Sequence, residues 1–183
     1  MLNIGEELVA SYLEYIKGCE FVQKNLYTPD TQGEIDVVAI NLKEKKVYIC
    51  EVAIHLTTGL RYMKATKQNN VEKLTDKFSK DIEYGQKYLR DYEQHYMLWS
   101  PVIKKSKDTS INCQARDIEQ IGKNIKQKYN IDIEFVINDA FHEALQALRA
   151  YARKETKELK CPVLRLLQIE ETLGRHLKIN TTA

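Results

Sequence analysis

The sequence predicts a mixed α/β fold, a β-sheet flanked by helices. Three observations carry that prediction. Two short β-branched runs, residues 33–40 and 47–53, flank a polar stretch at 41–46, the signature of a β-hairpin. Apolar residues recur at helical spacing in five further stretches. The resulting order, α-β-β-β-α-β-α-β-α-α, places a meander ahead of strand–helix alternation, the pattern of a mixed sheet covered by helices.

Taken in order, residues 4–17 form an amphipathic helix with Leu8, Val9, Tyr12, Leu13 and Ile16 on one stripe, ended by Gly18. Glu6 precedes Val9 and Leu13 by three and seven positions and falls on the buried side. Residues 20–27 alternate as a strand, and 28–33 is a turn cluster. After the hairpin, 54–63 is expected to be a loop and 66–92 a long helix with Val71, Leu74, Phe78 and Ile82 inward. Residues 95–100 form a buried strand, with Trp99 and Tyr96 in the core, stopped by Pro101. A solvated lysine-rich loop at 104–108 leads to a helix at 114–129, a strand at 131–137 and a helix at 139–157 capped by Asn138. A last helix opens at Pro162, and residues 180–183 are expected to fray. The expected division is a core over 1–137 and a helical extension over 138–183 packed on the same domain.

Composition bounds the function classes. The chain has 183 residues, 43% hydrophobic and 30% charged, with a net charge of only +2. No global field demands a polyanionic partner, although a local basic face is compatible with that balance. Cys19, Cys50, Cys113 and Cys161 are widely spaced, without a C-x-x-C, which argues for reduced thiols rather than a disulfide framework or a zinc site. The N-terminus lacks a basic stretch before an apolar core, and no apolar run reaches membrane-spanning length. The expectation is a cytoplasmic protein.

The chemistry lies in the hairpin. Each of its strands carries one carboxylate among apolar residues: Asp36 beside Val38 and Ile40, and Glu51 beside Val47, Ile49 and Ala53. A carboxylate inside an apolar strand is costly unless it is paired or holds a cation. Together with Glu6, the two suggest a site for a hard divalent ion, which takes two or three protein oxygens and keeps the rest of its shell for water and phosphate. From pattern alone a second account is equally open, in which Asp36 and Glu51 pair with lysines at a sheet edge.

Gly5-Glu6, the helix ending in Gly18-Cys19, Asn25, Gly33-Glu34-Ile35-Asp36 and Val47-Tyr48-Ile49-Cys50-Glu51-Val52 together resemble the PD-(D/E)xK, or restriction-endonuclease-like, nuclease superfamily. The resemblance is to its resolvase-like branch with a G-E … G-E-I-D … E-V-x pattern, and it covers residues 5 to about 90. It implies a restriction-endonuclease-like mixed sheet with a C-terminal helical extension. It also implies Mg2+-dependent (or Mn2+-dependent) endonuclease cleavage of DNA, with Asp36 and Glu51 as metal ligands, Glu6 as the supporting helix carboxylate, and work as a homodimer. The sequence departs from the pattern at one point: Ala53 stands where E-x-K has its lysine. Either the amine has moved to the following helix, where Lys64, Lys67 and Lys73 are candidates and Lys73 is favoured, or the fold persists as an inactive nucleic-acid-binding or assembly subunit of a repair or defence system.

Overall fold

A computed structural model describes residues 3–30, 33–105 and 113–181, with the side chains of 178–181 left aside. The elements are α1 (Ile4–Tyr15), β1 (Phe21–Thr28), β2 (Gly33–Asn41), β3 (Lys46–Val52), β4 (Met63–Lys64), β5 (Lys67–Gln68), α2 (Asn70–Tyr88), β6 (Glu93–Ser100), α3 (Gln114–Tyr129), β7 (Ile133–Ile137), α4 (Asp139–Lys154) and α5 (Pro162–Thr181). Five strands form one sheet in the order β1-β2-β3-β6-β7. The first three are antiparallel, as the hairpin pattern predicts, whereas β3–β6 and β6–β7 pair in parallel across the helical crossovers.

Strand alternation sorts the apolar residues between two cores. Val47, Ile49 and Ala53 of β3 and its edge meet Leu74, Phe78 and Ile82 of α2 and Ile118, Ile121 and Ile125 of α3. The other face, with Val37, Ala39, Tyr48 and Cys50, packs on Val9 and Leu13 of α1 and Phe141 and Ala144 of α4. Trp99 and Tyr96 are fully enclosed, one on each side. Helix α5 closes a third cluster with Leu148, Ala152 and Leu164 and leaves Leu166, Ile169 and Leu173 exposed.

Three local expectations are corrected. The helix expected over 66–92 begins only at Asn70, and residues 63–68 form a small hairpin, so Lys64 and Lys67 lie on β4 and β5 rather than on a helical stripe. The buried Asn70 side chain explains the stop: it accepts from the Tyr62 N–H (2.7 Å) and donates to the Leu60 carbonyl (3.0 Å), fixing the chain before the helix starts. Asn138 occupies the α4 cap position but does not cap. Its amide instead spans the main chain of Ile103, accepting from N–H at 2.8 Å and donating to C=O at 3.3 Å. Helix α5 continues through Thr181, into the stretch expected to fray, whereas residues 182–183 and residues 106–108 of the lysine-rich loop lie outside the described residues.

Gly59 holds the loop after β3 against the segment after β6. Its φ is +64°, and an added Cβ would lie 2.5 Å from Gln114 Oε1 and 2.8 Å from the Val102 carbonyl oxygen. Gly59→Ala is expected to cost about 1–3 kcal/mol, read as a lowered thermal midpoint by circular dichroism. An unchanged melt would show that the loop yields without penalty.

Candidate active site

The site forms where β2 leaves the ladder of β3. Their pairing runs from Asn41↔Lys46 to Val37↔Cys50. Beyond it the Asp36 side chain takes over, its Oδ2 accepting from the Val52 N–H at 2.7 Å. The alternation breaks at the same level: Ile35 and Val38 both reach the α2/α3 core, and Val37 between them reaches the α1/α4 core. On the outer strand Asn25, opposite Asp36 in register, adopts a φ of +50°, a left-handed conformation that asparagine tolerates better than most residues. The bent pair turns the Asp36 carboxylate toward Glu51.

Glu51 lies on β3, between β2 and β6, 1% exposed and on the face covered by α2. Helix α2 presents Leu74, Lys77, Phe78, Asp81 and Ile82 at i, i+3, i+4 spacing, so two charged groups sit within its buried face. Lys77 is in ionic contact with Glu51 Oε2 and lies 3.6 Å from Asp36 Oδ1. That contact is ionic rather than a directed hydrogen bond: both Glu51 oxygens and Asp81 Oδ2 are buried with no hydrogen-bond partner. Asp36, Tyr62, Lys73, Lys77, Lys80 and Asp81 line a cleft of about 300 Å³ that opens to solvent. A larger cavity, about 620 Å³, lies by the turn between α4 and α5, but it holds no buried unpartnered carboxylate. Chemistry, not size, selects the cleft.

Burial pushes the Glu51 carboxyl well above the ordinary range, and the neighbouring Asp81 and Asp36 push it further against the pull of Lys77. Burial likewise raises Asp81 to about 7, and Asp36 adds to the rise, although Lys77 and Lys80 oppose it. Buried as like charges near one another, Glu51 and Asp81 favour keeping a proton on the pair. For Lys77 burial alone would lower the pKa, but Glu51 and Asp36 outweigh it and hold the ammonium above the ordinary lysine value.

A sign follows for stability. In the unfolded chain Asp81 ionises near its ordinary value, 3.8, and in the folded chain only near 7, so between those values the folded form holds the extra proton. Stability is therefore fully present below about pH 4 and is lost as pH rises to about 7. In metal-free buffer the thermal midpoint of Asp81→Asn is expected to fall less over that interval than the wild-type midpoint. Parallel curves for the two proteins would refute the assignment to Asp81.

The structure brings Asp36 and Glu51 together but leaves Glu6 apart. Glu6 is buried on α1, where its carboxylate accepts from the amides of Asn3 and, at 2.8 Å, Asn25. Among the described residues no three His, Cys, Asp or Glu side chains are grouped as a metal ion would need. The expected three-acid cradle is thus not formed. Glu6 holds Asn25, the residue opposite Asp36, because α1 packs on the sheet face opposite α2. Lys73 lines the cleft, but the amine against the carboxylates is Lys77, one helical turn further on. Lys64 pairs with Glu72 on the exposed hairpin side. Asp81 and Lys77 are the residues of the cleft that the sequence analysis does not single out. Their signal was present, since both fall on the stripe of Leu74, Phe78 and Ile82. Asp30, in the turn before β2, pairs with Lys87 and does not line the cleft.

The residues fit a divalent ion in one respect that does not depend on the resemblance. Two buried carboxylate oxygens of Glu51 lack a directed partner, and a cation, the Lys77 ammonium, already stands between Glu51 and Asp36. One or two carboxylates, completed by water and substrate phosphate, suffice for Mg2+.

A family model described as "Uncharacterised protein family UPF0102" matches residues 5–99, from α1 through most of β6. The matched span contains Glu6, Asp36, Glu51, Lys77 and Asp81 and ends before α3, α4 and α5. No curated protein and no solved structure matches the chain.

Proposed function

Because the chain belongs to the uncharacterised family UPF0102, a family of the restriction-endonuclease-like superfamily, we propose that it is a Mg2+-dependent endonuclease that hydrolyses DNA phosphodiester bonds. The observation that carries this reading is an amine from α2, Lys77, set between two strand carboxylates, Asp36 at the wall of an open cleft and Glu51 buried behind it. Asp36 and Glu51 would hold the ion. When bound, it supplies Lewis-acid polarisation of the phosphate and a lowered pKa for the attacking water. Lys77 takes the part that Ala53 cannot. Kept protonated by its neighbours, it is a donor and a positive charge rather than a base, suited to the extra negative charge that develops on phosphorus-bound oxygen. In the overall reaction water oxygen bonds to phosphorus, one P–O ester bond breaks, and the leaving oxygen takes a proton. Asn25 and Glu6 hold the bent strands that aim Asp36. Cutting both strands of a duplex calls for two such sites, so a homodimer is part of the proposal.

The test is direct. The purified 183-residue chain is expected to nick supercoiled plasmid in Mg2+ or Mn2+ and to stop on chelation. Intact plasmid at every metal concentration, with DNA still bound, would instead support the second reading, a non-catalytic nucleic-acid-binding or assembly subunit. The specific observation that favours this second reading is Ala53 itself, buried at the lysine position of E-x-K.

A further inference from the structure

We propose that a second cavity, beside the β4–β5 hairpin, is a subsite for a backbone phosphate of the nucleic acid that enters the carboxylate cleft. The proposal rests on the reading of that cleft given above. The cavity measures about 320 Å³ and is lined by Thr58, Arg61, Thr66, Gln68, Lys104 and Gln114, with Met63 at its edge. Arg61 and Lys104 are its charged groups, and among the described residues neither is paired with a carboxylate. Of the other cations nearby, Lys64 is paired with Glu72 and Lys80 with Asp76. Two arginines of the cavity at the α4–α5 turn are likewise engaged, Arg165 with Glu158 and Arg153 with Glu171.

Both cations stand on a backbone fixed by a buried amide. Asn70, 1% exposed, grips the Leu60 carbonyl and the Tyr62 N–H, the residues on either side of Arg61. Gln114, 6% exposed, accepts from the Lys104 N–H at 2.9 Å and donates to the Thr58 carbonyl at 2.8 Å, tying the two walls together. The Lys104 ammonium is anchored on the Thr57 carbonyl at 2.5 Å. Two pre-positioned cations beside the Thr66 hydroxyl make a seat for a small multi-oxygen anion. Tyr62, next in the chain after Arg61, lines the carboxylate cleft. A polynucleotide strand crossing the cleft therefore has its continuing backbone within reach of Arg61, and contacts of this kind set position rather than sequence.

The experiment measures binding of a labelled duplex to the full chain by fluorescence anisotropy in chelator, where no cleavage occurs, across a salt series. Arg61→Gln combined with Lys104→Gln is expected to weaken binding on the order of tenfold and to reduce the salt slope by about one. Lys43→Ala, in the turn between β2 and β3, is expected to change neither. The single Arg61→Gln variant, exposed and away from the core, is expected to show part of the loss with an unchanged melt. Inorganic phosphate alone is expected to compete only weakly; strong competition would mean a free phosphate ligand and overturn the polynucleotide assignment. If the double variant binds like wild type while wild type cuts plasmid, the subsite is overturned and the nuclease reading stands. If wild type never cuts yet its DNA binding depends on Arg61 and Lys104, the nuclease reading falls and the subsite stands. Absence of DNA binding at low salt overturns the subsite.

Discussion

Lys77→Ala is expected to destabilise the metal-free protein by about 3–5 kcal/mol at neutral pH and to remove most cleavage. The physical cause is the same for both effects. Lys77 is the cation between Glu51 and Asp36, and Glu51 and Asp81 are almost wholly buried. Its removal leaves a negative cluster in low dielectric with nothing to balance it, a cost that the cluster lessens only by taking up protons. Lys77→Met keeps the apolar stem and separates lost packing from lost charge. Mg2+ or Mn2+ is expected to raise the thermal midpoint of either variant more than that of wild type, since in wild type the ion competes with the ammonium for the same carboxylates. Lys73→Ala, which leaves the ion pair intact, is expected to shift stability by no more than about 0.5 kcal/mol. Ala53→Lys placed in the Lys77→Ala background returns an amine to the β3 position of the family pattern, and recovered cleavage would show that the amine, not its address in the chain, is what the reaction uses. Wild-type melting and wild-type cleavage by Lys77→Ala would end the role assigned to this lysine.

Asp36→Asn is expected to lower cleavage by about two to three orders of magnitude with little loss of stability. The substituted amide keeps an oxygen for the Val52 N–H, the bond that replaces the strand ladder, and loses only the charge. Asp36→Ala loses the acceptor as well and is expected to cost a further 1–3 kcal/mol or so. Glu51→Gln goes the other way: relieved of crowding with Asp81 and Asp36, the folded chain becomes more stable in metal-free buffer while cleavage is lost. Such a gain in stability at the expense of activity marks a site that holds unfavourable charge for a purpose. The measurement is parallel, with plasmid nicking beside chemical denaturation. Full cleavage by Asp36→Asn would remove Asp36 from the ion-holding pair.

Periodicity made most of the architecture legible. The hairpin at 33–53, the inward stripes of α1, α2 and α3 and the buried strand ending at Ser100 follow from residue spacing, because burial on one face imposes a period of two or 3.6 on the sequence itself. Elements set by single side-chain clamps were not legible. The β4–β5 hairpin depends on Asn70 reaching back to Leu60 and Tyr62, and Asn138 serves Ile103 instead of its own helix. A polar residue before a helix looks the same in sequence whether it caps the helix or ties down a distant segment.

For the site, the sequence by itself determined that Asp36 and Glu51 are neighbours, since a hairpin with this turn places them on adjoining strands. It also revealed the missing amine at Ala53. Only the tertiary structure decided what completes the pair. Helix α2 crosses the Glu51 face, so Lys77 and Asp81 enter, whereas α1 lies behind the sheet and Glu6 is spent on Asn25. Which face a helix covers is fixed by crossover connections and core packing over the whole chain, and no local spacing of residues encodes it.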